Sequence, residues 1–285
     1  LYVSAPLTNV SIMAMQDSTE HFANRLFHAL PTSKQSGKVY KAEKGKLFRN
    51  NMAKRGPAAE SKEMGYDYGL VNFTTDVWAV HIDVPRQSSA GADMVVMPDT
   101  DAPIILGANA LLNRDLQCKS TYFGTGKWGQ DRTGTTDFVK WSNLAGSDPV
   151  KDIMTWKKDG KLRCGKTLNT MAMGEEIYLI LKDHPDILDR IKYTSGNNTP
   201  TIVNQQALAA VFELDELIVC GSVYNTAAEG LSDSMAYVVS DEMLLYHKPS
   251  SPGPRVLAAG YIYAWNTYDG AGSNGVRVRR IPLDT

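Results

Sequence analysis

A chain of 285 residues with 43% hydrophobic residues is long enough for one large domain or two closely joined subdomains around a buried core. Its 30 Lys and Arg against 31 Asp and Glu leave a net charge of −1, which excludes both a uniformly basic nucleic-acid binder and an acidic solvating tail. No apolar run reaches the length of a membrane span, no basic stretch followed by an apolar block opens the chain, and Cys118, Cys164 and Cys220 are far apart with no CxxC pair, so the expectation is a membrane-free chain with free thiols in a reducing compartment.

In chain order, the first uneven stretch lies between Lys34 and Glu63. Lys34, Lys38, Lys41, Lys44, Lys46, Arg49, Lys54, Arg55 and Lys62 face only Glu43, Glu60 and Glu63 there, and few large apolar residues accompany them. Such a segment cannot build a core of its own. Val39-Tyr40 and Leu47-Phe48 flank a Glu43-Lys44-Gly45 turn signal, which predicts an extended basic hairpin bent at that turn, with Gly37, Gly45 and Gly56 as points of flexure. Tyr66 to Val84 favours strands (Tyr66, Tyr68, Leu70, then Val77-Trp78-Ala79-Val80, Ile82 and Val84), and Pro85 ends the run. Ile104, Ile105, Ala108, Leu111, Leu112 and Leu116 keep helical spacing behind a capping Asp99-Thr100-Asp101 and Pro103, which predicts a helix over 99–123. A glycine-rich loop, Gly124 to Gly134, follows.

Asp148 is a good N-cap and Pro149 a good first residue for a helix whose apolar face is Ile153, Met154 and Trp156. A strand is expected over Thr167–Met173, short helices over Glu175–Lys182, Pro185–Ile191 and Gln205–Phe212, and strands over Glu216–Cys220, Met235–Val239, Met243–Tyr246, Gly260–Trp265 and Val276–Ile281. The sum is a mixed α+β chain with one long helix and a protruding basic arm.

Signatures of chemistry are weak. Gly124-x-Gly126-x-x-Gly129 matches a dinucleotide fingerprint by letter, but it follows a helix where that fingerprint needs a strand before it and a helix after it. Gly270-x-Gly272-x-x-Gly275 lies between two predicted strands and reads as a loop. His21, His28, His81, His184 and His247 form no metal spacing, and the His81/Asp83 pair is too small for a site. Glu175-Glu176 and Asp183/Asp186/Asp189 read as solvated helical faces. No Gly-x-Ser-x-Gly elbow occurs. The basic arm holds only Tyr40 and Phe48 as stacking residues, so single-strand binding is weakly supported.

A series of stretches carries a resemblance. Asp148-Pro-Val-Lys-Asp-Ile153, His184-Pro-Asp-Ile-Leu-Asp-Arg-Ile-Lys-Tyr-Thr194, Ala207-Leu-Ala-Ala-Val-Phe212, Asn225-Thr-Ala-Ala-Glu-Gly230, Ser234-Met-Ala236, Ala259-Gly-Tyr-Ile-Tyr-Ala-Trp265 and Gly275-Val-Arg-Val-Arg-Arg280 occur in this order. With Lys34-Gln-Ser-Gly-Lys38, Phe48-Arg49, Arg55-Gly-Pro57 and His81-Ile-Asp-Val-Pro85 upstream, nearly the whole chain resembles major capsid proteins of tailed bacteriophages with the Hong Kong 97-type shell fold. No one motif is specific; the series is.

That resemblance implies an N-arm over 1–31, an extended E-loop hairpin over 32–68 lying on a neighbouring subunit, and a peripheral domain over 69–147 with a spine helix at about 99–123. It also implies an axial domain over 148–259 meeting its copies around five-fold and six-fold axes, and return strands over 260–285. It departs from the family in a compact stretch between Asp152 and Thr167 and an early end at Thr285. The implied function is structural and not enzymatic: self-assembly into the icosahedral head shell around double-stranded DNA, located in the virion and assembled in the host bacterial cytoplasm. Implied partners are copies of the chain in pentamers and hexamers, scaffold, portal and decoration proteins, and packaged DNA on the inner side. No cofactor, metal or catalytic residue is implied, and no partners for a covalent Lys–Asn crosslink are assignable. The expected inter-subunit contact is the basic arm: Lys34, Lys38, Lys41, Lys44, Lys46, Arg49, Lys54, Arg55 and Lys62. An encapsulin-like compartment shell and a cytosolic hydrolase or nucleotide-binding enzyme resting on the Gly124–Gly134 loop stay as alternatives.

Overall fold

The larger part of the chain is built on one strand whose sequence, Thr-Met-Ala-Met-Gly, has no charged residue. In the computed structural model, which describes residues 19–42, 44–65, 68–85, 98–194, 203–253 and 256–267, all five of its residues are buried. This is β4 (Thr170–Gly174), the centre of a three-stranded sheet in the order β5-β4-β8, with β5 (Glu216–Cys220) parallel to it and β8 (Met243–Tyr246) antiparallel. A strand covered on both faces reads as a continuous apolar run, which is why β4 shows no polar alternation.

Side chains still alternate between the two faces. Met171, Met173, Leu217, Val219, Met243 and Leu245 point to one cluster, with Ile153, Leu181, Ile187, Leu208 and Phe212. Those five come from α4 (Pro149–Cys164), α5 (Glu175–Lys182), α6 (Pro185–Thr194), α7 (Gln205–Val211) and its C-cap Phe212. Ala172, Ile218, Cys220, Leu244 and Tyr246 point to the other cluster, with Phe22, Ala23, Leu26 and Phe27 and with Cys118 at the end of α3 (Pro98–Cys118). Gly174 ends β4 where a Cβ would stand 2.0 Å from the Ser240 carbonyl oxygen, so only glycine lets the strand turn directly into α5.

The helix ends follow the residues that mark them. The Asp148 side chain accepts from Lys151 N at 3.0 Å, Pro149 fills the first position, and Gly165, at φ 73°, closes α4 with its N–H on the Lys161 carbonyl. Asn204 caps α7 through Ala207 N. The helix expected over 99–123 is α3 continued by a π-helical segment, Lys119–Phe123. A short hairpin of β6 (Val223–Asn225) and β7 (Met235–Tyr237) follows β5. The predicted strand Val276–Ile281 and most of the N-arm range lie outside the described residues.

By its contacts the chain divides into two units: a body of residues 1–29, 79–262 and 278–285, and an arm of residues 30–78 and 263–277. The arm holds β1 (Ala29–Thr32) paired with β9 (Ile262–Trp265), and β2 (Ser36–Ala42) paired antiparallel with β3 (Tyr68–Thr74) in unbroken register from Ser36↔Thr74 to Ala42↔Tyr68. This corrects two expectations. The hairpin does not turn at Glu43-Lys44-Gly45: Val39 faces Val71 and Tyr40 faces Leu70, while Lys44–Leu47 is a helical turn, α2. Seven matched residue pairs give a full ladder that the short Leu47-Phe48 run cannot offer. Nor is there a strand over 77–84: Val77, Trp78, Val80 and Ile82 are exposed and form no sheet. High β-propensity needs a partner strand before it becomes a strand.

Candidate functional site

Buried polar groups, the material of catalytic chemistry, gather in the body. Ser147, His184 and Asp186 form a trio that sequence spacing does not reveal: Ser147 Oγ lies 3.0 Å from His184 Nε2, and Asp186 Oδ2 lies 3.9 Å from His184 Nδ1. Its proton placement opposes nucleophilic catalysis. Asp186 N–H points at Nδ1 at 3.3 Å, so Nδ1 accepts and Nε2 carries the proton toward Ser147 Oγ, whose own proton goes to the Asn143 carbonyl at 2.8 Å. A general base needs a free lone pair facing the serine. Ser147 and His184 are also buried, so the trio pins the 143–147 turn to the start of α6.

The other polar groups are likewise structural. Lys157 on α4 is buried and donates from Nζ to the carbonyls of Phe212 (2.9 Å) and Glu213 (2.7 Å), which closes the end of α7. Asp115 of α3, fully buried, accepts from Ala23 N at 2.9 Å and meets His21 Nδ1 at 2.7 Å, which fastens the chain before α1 (Ala23–Leu26) to the long helix. Cys118 and Cys220 are buried, and desolvation, reinforced by Asp115, pushes the Cys118 thiol up to about 12 and raises that of Cys220 as well. A thiol held protonated is a poor nucleophile.

The glycine loop is no phosphate cradle. Gly126 N–H, at φ 75°, donates to the Asp131 carboxylate, so the loop's own anion sits where a phosphate would, and no helix begins at its end. Among the described residues no group of three His, Cys, Asp or Glu could hold a metal, and no helix is long and apolar enough to cross a membrane. An open cavity of about 440 Å³ brings Glu20 and Glu175 together around Gly221 with Tyr178 and Gln205. Burial, and then the Glu20 charge, raise the Glu175 carboxyl above its usual value.

The arm has a different composition. It carries ten Lys and Arg against six Asp and Glu, a net +4, and the body carries twenty against twenty-five, a net −5, together the chain's −1. Lys34 lies at the base of the β2–β3 ladder, Lys38 and Lys41 on β2, and Lys44, Lys46, Arg49, Lys54, Arg55 and Lys62 in the long connection beyond it. The structure thus spreads the nine predicted residues along one arm and gathers them at no focal site. Lys34, Lys38, Lys41, Arg49, Lys54 and Lys62 are exposed and form no ion pair among the described residues, and Arg55 donates to the Ala59 carbonyl. Apolar groups are exposed beside them: Tyr40 (71% exposed) and Leu70 (54%) face each other on one side of the ladder. On the other side Phe73 stacks on Tyr263 at 4.2 Å between ring centres. Charge and apolar area presented together on a thin ladder suit contact with another surface.

No family model matches the chain. A curated relative, the major capsid protein of Burkholderia phage BcepMu, is 25% identical over 236 residues, 81% of this chain and 73% of that protein. A solved structure, a phage-related protein from Bordetella bronchiseptica RB50, matches 92% of this chain and 84% of its own with a TM-score of 0.64 at 20% identity, which shows a shared fold. The curated relative agrees with the resemblance to phage capsid proteins, and the solved structure bears on the fold alone.

Proposed function

We propose that this chain is the shell subunit of a phage head, associating with copies of itself into an icosahedral shell that encloses double-stranded DNA. The similarity along 81% of the chain to a protein named as a major capsid protein carries this reading. The exposed cationic arm supports it, because a shell needs contacts that reach beyond each subunit's own body. In this reading the arm is the E-loop, α3 the spine helix, and the sheet with α4 to α7 the axial domain of a Hong Kong 97-type fold. Scaffold, portal and decoration proteins are then its further partners. Each exposed ion pair contributes only about 0–1 kcal/mol, so many repeated contacts hold the shell together.

Electron microscopy of the purified chain tests the reading: closed shells are expected. Ser36 and Thr74 are cross-strand partners, so a tight Gly-Ser turn can replace 37–73 without displacing what flanks it. That variant should stay folded and soluble yet form no shells; intact shells from it would remove the arm from the assembly contact.

A further inference from the structure

Two helix faces of the body carry opposite charge around an exposed leucine. On α4 the outward stripe runs Lys151, Thr155, Lys158, Leu162, at i, i+4, i+7 and i+11, with Lys161 beside it and Lys166 just past the Gly165 cap. Leu162, in the last turn of the helix, is 78% exposed. Lys151, Lys158, Lys161 and Lys166 form no ion pair among the described residues, in a unit of net charge −5 where Arg25, Lys119, Arg132, Lys192 and Lys248 all do. On α5 the outward stripe is Glu176, Leu179 and Asp183, at i, i+3 and i+7, opposite the buried Leu181. Leu179 is 50% exposed, and neither carboxylate is in an ion pair among the described residues. Leu179 therefore stands between two carboxylates about one helical turn away on either side, and Leu162 has Lys158 one turn before it and Lys166 two residues past the helix end.

We propose that the Lys158–Leu162 face of α4 on one copy, with Lys166 just past its cap, docks on the Glu176–Leu179–Asp183 face of α5 on the next copy; this rests on the self-assembly reading above and names a second contact for it. An apolar centre inside a charged rim is the anatomy of a protein interface. Nucleic acid suits the α4 face less well, because phosphates have no use for a central leucine and no exposed aromatic stands on the stripe to stack on bases. The cationic arm is repelled by α4. Because the two faces are different patches of the same chain, the contact is head-to-tail, and repetition closes it into a ring or extends it into a filament.

Charge reversal in both directions tests it, read by sedimentation velocity at matched concentrations, with circular dichroism reporting the fold. K158E/K166E and E176K/D183K should each weaken association about tenfold or more, and the chain carrying all four changes should regain it to within about threefold. Leu162→Ser, on a side chain already in solvent, is the gentler variant and should also weaken association. Unchanged assembly in both reversals, or no recovery in a folded four-fold variant, overturns the contact. Loss from the α5 reversal alone would give that face to the arm, and loss of duplex-DNA binding without loss of assembly in K158E/K166E would give the α4 face to nucleic acid; either result overturns it too. A wild-type chain that stays monomeric sinks the shell reading with it, whereas a wild-type chain that assembles while the variants assemble equally sinks this contact alone.

Discussion

The body and the arm solve the problem of stability differently. The body wraps two apolar clusters around the two faces of β4, and the buried Asp115, Lys157, Ser147 and His184 each have a partner. In the arm, Ala264 is the one buried hydrophobic among the described residues, and the structure rests on strand pairing and the Phe73–Tyr263 stack. A two-stranded ladder is marginal in water without further cover. The body's residues therefore answer to the chain's own core, while many of the arm's answer to whatever it lies against.

The contrast can be broken at several points, beginning in the body. Phe212→Ala, at a fully buried side chain between α7 and the sheet, should cost about 3–5 kcal/mol and lower the urea midpoint. A loss below about 1 kcal/mol would mean that the cluster is not the core. Asp115→Ala strands the Ala23 N–H and removes the buried contact with His21, with an expected loss of about 3 kcal/mol by the same measurement. It should also speed hydrogen exchange over Ala23–Leu26.

In the arm the effects shrink. Phe73→Ala removes the stack and should cost the arm about 1 kcal/mol, seen as faster exchange of β2 and β3 amides while the body's urea midpoint holds. A shifted body midpoint would deny the arm its independence. Tyr40→Ala and Leu70→Ala, on exposed side chains, should leave subunit stability within about 0.5 kcal/mol yet reduce assembly yield by electron microscopy. Glu175→Gln is the smallest test. A carboxyl raised by burial and by Glu20 contributes fully below its ordinary value of 4.5, and that contribution is lost as pH rises through the folded value. The variant should therefore gain a fraction of a kcal/mol at pH 7 and match the parent below about pH 4.

How legible each region was follows from the same physics. In the body, α5 and β5 fall on their expected residues, and α4 and β8 at their expected starts, because caps, prolines and apolar runs are local signals. In the arm, composition announced a cationic extension, but the turn at Glu43–Gly45 was misplaced, since strand partnership between 36–42 and 68–74 is a non-local choice. The β6–β7 hairpin went half unseen: β6 is three residues long, and its loop is ordered by the Asn225 side chain, which holds Ala227 N, Ser234 N and Asp233.

Taken alone, the amino-acid order determined the α+β class, the starts of α4 to α7, the basic character of the arm and the lack of a recognisable catalytic motif. Each of these is a property of neighbouring residues. Tertiary structure alone decided which strand pairs with β2, that Ser147 and His184 meet with the proton facing the wrong way for catalysis, and that Asp131 fills its own glycine loop. It alone also showed that Lys151, Lys158 and Lys161 of α4, and Glu176 and Asp183 along α5, form no ion pair among the described residues and lie near exposed leucines. Those facts depend on groups brought together from distant parts of the chain, and their hydrogen-bond directions and exposures exist only once the chain has folded.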